Sequence, residues 1–120
     1  MSFADDVSTE QSRGAAVREL GLSTEPEGDG LVGHATISPG MWLPGTETLR
    51  LSVIATWGDI LCGVLAGAAY RPRIGLTLDL DAHLLAPIVG PGEITGRASF
   101  VKTGRNIVIT QAVFTRPDDD

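Results

Sequence analysis

The chain has 120 residues, 42% of them apolar, with a formal net charge of −6, two histidines and one cysteine. That length suits one compact domain. The acidic balance argues against a nucleic-acid partner, whose phosphates call for a basic surface, and a lone Cys62 excludes an intramolecular disulfide and fits a reducing, cytoplasmic compartment.

Taken in chain order, residues 1–12 are polar, acidic at Asp5 and Asp6, and lack the basic and apolar regions of a signal peptide. Residues 1–30 read as a partly flexible N-terminal segment, closing on the turn-rich "TEPEGDG", and 31–120 as a single domain. "LVGHATIS" (31–38) alternates and is rich in β-branched residues, which predicts a strand. "PGMWLPGT" (39–46) predicts a loop, because Pro39 and Pro44 forbid regular pairing. A helix is expected from Thr46 or Thr48, either of which suits an N-cap, through "SVIATWGDILCGVLAGAA" (52–69), where Leu49, Val53, Ile54, Trp57, Ile60, Leu61, Val64 and Leu65 recur at helical spacing. This stretch approaches the length of a membrane span, but Asp59 at its centre would be costly in a bilayer, so no membrane partner is expected. Gly58, Gly63 and Gly67 each weaken a helix by about 1 kcal/mol relative to Ala, which close approach of another backbone would offset. "IGLTLDLDAHLLA" (74–86) alternates cleanly, with Thr77, Asp79, Asp81 and His83 on its polar side. "EITGRASFVKTG" (93–104) and "RNIVITQAVFTR" (105–116) predict two strands joined at Thr103, Gly104, Arg105 and Asn106. The expected order is β-α-β-β-β around one long helix, an α+β fold.

Asp59 is the residue that asks for an explanation, since a buried carboxylate is costly unless paired or hydrogen-bonded. It is placed either as a general base or nucleophile, or as a structural group bonded to backbone or a neighbouring side chain. Helical spacing puts it on one face with Ser52, Ala55, Thr56, Cys62 and Gly63, small residues that suit the border of a cleft. The helix start, at Leu51 and Ser52, offers free N–H groups and the positive end of the dipole, which suit a developing oxyanion as well as an ordinary cap. Lys102 and Arg105 flank Gly104 in a turn able to hold phosphate, or carry no such role. His83 faces either a cleft or a surface. Trp57, Met41 and Trp42 either shape a pocket or belong to the core. Cys62 among apolar neighbours reads as a core residue, and two separated histidines with one cysteine make no metal site.

In their order and spacing these stretches resemble the hotdog fold, an antiparallel sheet wrapped around one long central helix. Within that fold they resemble the phenylacetate-pathway (PaaI-like) acyl-CoA thioesterases. "RLSVIATWGDILCG" is similar to the family helix, with Asp59 at the position of its acid; "LTLDLDAHLLAP" resembles the next strand, and "GEITGRASFVKTGRNIVITQAVF" the following pair with its Lys-x-Gly-Arg turn. The resemblance covers about residues 31–116. It implies hydrolysis of an acyl-CoA to free acid and CoA, with Asp59 and Thr56 beside the reacting carbonyl and N–H groups of Leu51 and Ser52 polarising it. It implies substrate contacts from Trp57, His83, Lys102, Gly104 and Arg105, no cofactor beyond the CoA of the substrate, and a homodimer or larger assembly with the site between two units. Two departures stand out. The family's His-Gly-Gly is Arg50-Leu51-Ser52 here, and the strand normally following "NIVITQAVFTR" is missing, so another segment or chain is expected to supply it, as in a longer or tandem protein. The departures suit an alternative of another class, a non-catalytic acyl-CoA-binding or structural hotdog domain. A hydratase of the same fold would require His83 and an acid to converge.

Overall fold

The computed structural model describes residues 21–72, 77 and 79–117. Strands β1 (Ser23–Glu27) and β2 (Gly30–Ile37) form a hairpin; a 3-10 turn (Pro39–Met41) and an irregular loop lead to helix α1 (Leu51–Ala69), and β3 (Gly92–Thr103) and β4 (Val108–Thr115) form a second hairpin. The four strands make one antiparallel sheet in the order β1-β2-β3-β4. The helix packs on one of its faces.

Alternation decides which face. Leu31, Ala35 and Ile37 of β2 and Ile94 and Ala98 of β3 are buried toward the helix, as period-two side chains on a half-covered sheet should be. From the helix, Val53, Trp57, Leu61, Val64, Leu65 and Ala68 meet them, all at 6% exposure or less. Trp57 and Phe114 lie with ring centroids 6.4 Å apart. Phe114 pairs across the ladder with Gly96, and a side chain on Gly96 would run into the Phe114 ring, whose Cδ1 lies 2.8 Å from where that Cβ would stand. Glycine at this one position is what lets the aromatic ring fold over β3 toward Trp57.

Three expectations need correction. Residues 24–27, read as part of a loop, form a strand with Ser23: Ser23, Glu25 and Glu27 pair with His34, Val32 and Gly30. It is an edge strand, so polar residues and Pro26 are tolerated in it, and its hairpin turns at Gly28, φ +59°. The sheet therefore begins before residue 31, and Leu22, 3% exposed, is already in the core. Strand β1 joins on the β2 side, so β4 is the opposite edge of the sheet among the described residues, where a strand from another segment or chain is expected. Next, the helix starts at Leu51, with Arg50 as N-cap and no side-chain cap; the Thr46 hydroxyl instead donates to Leu43 O at 2.8 Å and accepts from Thr48 N–H at 3.1 Å, closing a turn. Finally, the strand expected over 74–86 is not formed in its described part. Residues 77 and 79–86 carry no ladder, and residues 73–76 and 78 lie outside the described residues. The alternation is real, but Leu80 and Leu84 remain 49% and 43% exposed, with no second apolar surface among the described residues to cover them.

Candidate active site

Helix α1 carries the candidate chemistry on the side the sheet leaves uncovered. Successive residues of a helix turn by about 100°, so Ser52, Thr56, Asp59, Gly63 and Ala66 run along the face opposite Val53, Trp57 and Leu61. None of the five is buried. Asp59 is half-buried there, and its Oδ1 accepts a hydrogen bond from the Thr77 hydroxyl at 2.6 Å. The cost of partial burial is thus offset by a neutral donor from the segment that follows the helix, while Oδ2 has no hydrogen-bond donor among the described residues. Sequence reasoning missed Thr77 as a partner, although its place on the polar side of an alternating segment was the signal.

The helix start is held from two sides. Arg50 N–H donates to Met41 O at 2.9 Å and Leu49 N–H to Ile88 O at 2.8 Å. The Arg50 guanidinium donates through Nη2 to Gly40 O at 3.2 Å. The N–H groups of Leu51 and Ser52 open the helix uncapped, without an acceptor among the described residues, and Leu51 is 43% exposed. Free N–H groups at the positive end of a 19-residue helix favour an anion or a polarised carbonyl. The Thr56 hydroxyl donates to Ser52 O at 2.7 Å, so it is tied to its own helix rather than aimed outward.

The other named residues do not gather at this place. Trp57 is a correction: at 0% exposure it is a core side chain and lines no cleft. Met41 and Trp42 pack beside that same part of the core. Lys102 and Arg105 are exposed at the β3–β4 turn, where Gly104 O accepts a hydrogen bond from the Tyr70 hydroxyl at 2.9 Å. Tyr70 caps the far end of the helix, so this cationic turn lies about 28 Å along the axis from Leu51. His83 is exposed, and no hydrogen bond or ion pair joins it to Asp59 or Asp81, which is the convergence a hydratase needs. Cys62 is half-buried beside Asp59; burial pushes its thiol above the usual range, a hydrogen bond with Thr110 opposes that, and the Asp59 charge adds to it. A thiol kept protonated is a poor nucleophile. The described residues contain no group of three metal-ligating side chains.

Neither a protein-family model nor a curated relative matches the sequence. Solved structures match over nearly the whole chain. A phenylacetic acid degradation-related protein from Ralstonia eutropha JMP134 aligns with a TM-score of 0.82 at 16% identity, covering 95% of this chain and 90% of that one. A thioesterase from Haemophilus influenzae aligns at 0.83 and 20% identity, covering 100% and 83%. The PaaI protein from the phenylacetic acid degradation operon of E. coli aligns at 0.73 and 12% identity, covering 92% and 91%. Together with the one long helix against a four-stranded antiparallel sheet, these similarities establish the hotdog fold.

Proposed function

We propose that this protein is a cytoplasmic thioester hydrolase that cleaves an acyl-CoA to a free acid and CoA, acting as an assembly of at least two copies. The observation that carries the reading is the position of Asp59: a half-buried carboxylate at mid-helix, on the face the sheet does not cover, in a fold shared with proteins named as thioesterases. In this reading Asp59 activates water, or attacks the thioester carbonyl directly, and N–H groups of Leu51 and Ser52 receive the negative charge that develops on the carbonyl oxygen.

Geometry supports the assembly. Asp59 follows Ser52 by seven residues on the same helix, a rise of about 10 Å. One copy therefore does not bring its acid to its own helix start. A two-fold axis near Ala55 and Thr56, with the two helices antiparallel, sets Asp59 of one copy level with Ser52 of the other. It also carries the Lys102–Arg105 turn of one copy toward the helix start of the other, where the phosphates of CoA would meet those cations. The small residues at the crossing allow the helices to approach closely, and exposed Leu80, Leu84 and Leu85 are apolar surface for a second copy to cover.

The test is release of free thiol from a panel of acyl-CoAs by wild type and by Asp59→Asn. Hydrolysis by wild type and a loss of about a hundredfold or more in the variant, at unchanged fold and assembly size, is the expected outcome. Binding of acyl-CoA with no hydrolysis by wild type would replace this reading with a non-catalytic binding domain.

A further inference from the structure

Arg116, the residue directly after β4, holds an unusual position. Its Nη1 donates to Gly90 O at 3.2 Å and to Val89 O at 3.4 Å, and its Nη2 donates to Pro91 O at 2.8 Å. Three successive carbonyls thus converge on one guanidinium. The fixed fork of arginine serves such an arrangement, and a lysine ammonium, a single point, does not reproduce it. The chain makes room for it: Gly92 has φ +125°, and a Cβ there would stand 2.9 Å from Arg116 Nη2.

The clamped loop in turn grips the residues that lead into the helix. Gly90 N–H donates to Glu47 O at 2.8 Å and Leu49 N–H to Ile88 O at 2.8 Å, and Thr48 and Val89 are bridge partners. On the other side Leu43 N–H donates to Thr48 O at 2.8 Å. Leu49 is 1% exposed, and the next residue, Arg50, is the N-cap. Among the described residues Arg116 is the side chain that hydrogen-bonds the loop at 89–91, and no side chain caps the helix itself.

We infer that Arg116 is a positioning residue for the helix start: through the carbonyls of Val89, Gly90 and Pro91 it sets the place of residues 47–49 and, one residue on, of the Leu51 and Ser52 N–H groups. Its consequence for catalysis rests on the proposed thioester hydrolysis. Donors to a developing oxyanion act only where they are aimed at the place the charge appears, and a displacement of about 1 Å costs up to a hundredfold in rate.

The experiment compares wild type, Arg116→Lys and Arg116→Met in the full chain, by acyl-CoA hydrolysis and by amide hydrogen exchange. For Arg116→Met the expected result is a fall in kcat of about tenfold or more with KM within about twofold, together with faster exchange at Leu49 and Gly90 while Ala35 and Ile94 in the sheet keep their protection. Arg116→Lys should fall between the two. Unchanged kcat in both variants of an active enzyme, or unchanged exchange at Leu49 and Gly90, overturns the inference. So does a loss of protection that spreads equally through the sheet, which would mark a general contribution to stability. If wild type hydrolyses no acyl-CoA, it is the functional reading that has failed, and exchange at Leu49 and Gly90 alone decides whether Arg116 holds the helix start.

Discussion

The two faces of α1 differ in side-chain size as well as in polarity. Toward the sheet stand Val53, Trp57, Leu61, Val64, Leu65 and Ala68, closed off from solvent. Away from it stand Ser52, Ala55, Thr56, Cys62, Gly63 and Ala66, with Asp59 among them, half-buried or exposed. An average over the whole helix hides these faces: by length and composition alone it passes as a membrane span, with only 39% of that stretch buried in the protein. Side-chain volume separates them. Large residues fill space and fix the helix on the sheet; small ones leave room for a substrate arm or a second backbone. On the proposed function the first face serves stability and the second the chemistry, and substitutions on each should fail in different ways.

The largest effect is expected on the closed face. Trp57→Ala removes a fully buried ring packed on Phe114, and large-to-small changes of this kind cost about 3–5 kcal/mol. Denaturant unfolding should show that loss, with any activity falling in step with the folded fraction. A stable Trp57→Ala variant that had lost only activity would move Trp57 to the substrate and break the division between the faces. The opposite pattern is expected of Asp59→Asn on the proposed function: hydrolysis should be lost while the unfolding midpoint is nearly kept.

A smaller effect, and one of the other sign, tests the open face. A Cβ on Gly63 would meet nothing within 4 Å, so in an isolated copy Gly63→Ala should raise stability by about 1 kcal/mol, the helix-propensity gain. If a second copy lies close against this face, the added methyl meets it, and the gain should shrink or reverse as protein concentration rises. Thermal unfolding of Gly63→Ala across a range of concentrations distinguishes the two. A gain that does not vary with concentration would count against the proposed helix crossing near Ala55 and Thr56.

Much of this division was legible in the sequence, for physical reasons that can be named. The helix and strands β2, β3 and β4 announce themselves through periodicity, because one covered face forces period 3.6 or 2 on the apolar residues. The small residues around Asp59 were readable from the same spacing. Four things were not. Strand β1 hides because an edge strand with a solvated face needs no apolar alternation, and Thr24, Glu25, Pro26 and Glu27 read as loop residues. The alternation at 74–86 misled because pattern says what a segment would bury, and not whether this copy offers the surface. The clamp of Arg116 on the carbonyls of Val89, Gly90 and Pro91 was invisible because main-chain acceptors carry no residue identity. The same holds for the bond between Tyr70 and Gly104 O, which shows that the Lys102–Arg105 turn and the helix start lie at opposite ends of one copy.

The smallest expected effect lies at the border between the faces, on Cys62. Burial raises its thiol pKa above 9.0, the hydrogen bond with Thr110 partly offsets this, and the Asp59 charge adds to the rise. The folded protein therefore keeps this proton at a pH where the unfolded chain has released it. The sign follows directly: below about pH 9 the group contributes nothing to the pH dependence of stability, and as pH rises through the unfolded value toward the folded one stability falls, because the unfolded state gains the thiolate. Wild type should lose stability on going from about pH 8 to about pH 10.5 faster than Cys62→Ala, and its alkylation by iodoacetamide should lag behind that of a free thiol throughout. Asp59→Asn removes a charge that opposes the thiolate, so in that variant the alkylation midpoint should move down toward the ordinary value. A midpoint that stays in place would mean that the carboxylate and the thiol do not share one environment, and that Asp59 faces further from the sheet, toward the second copy, than its bond to Thr77 indicates.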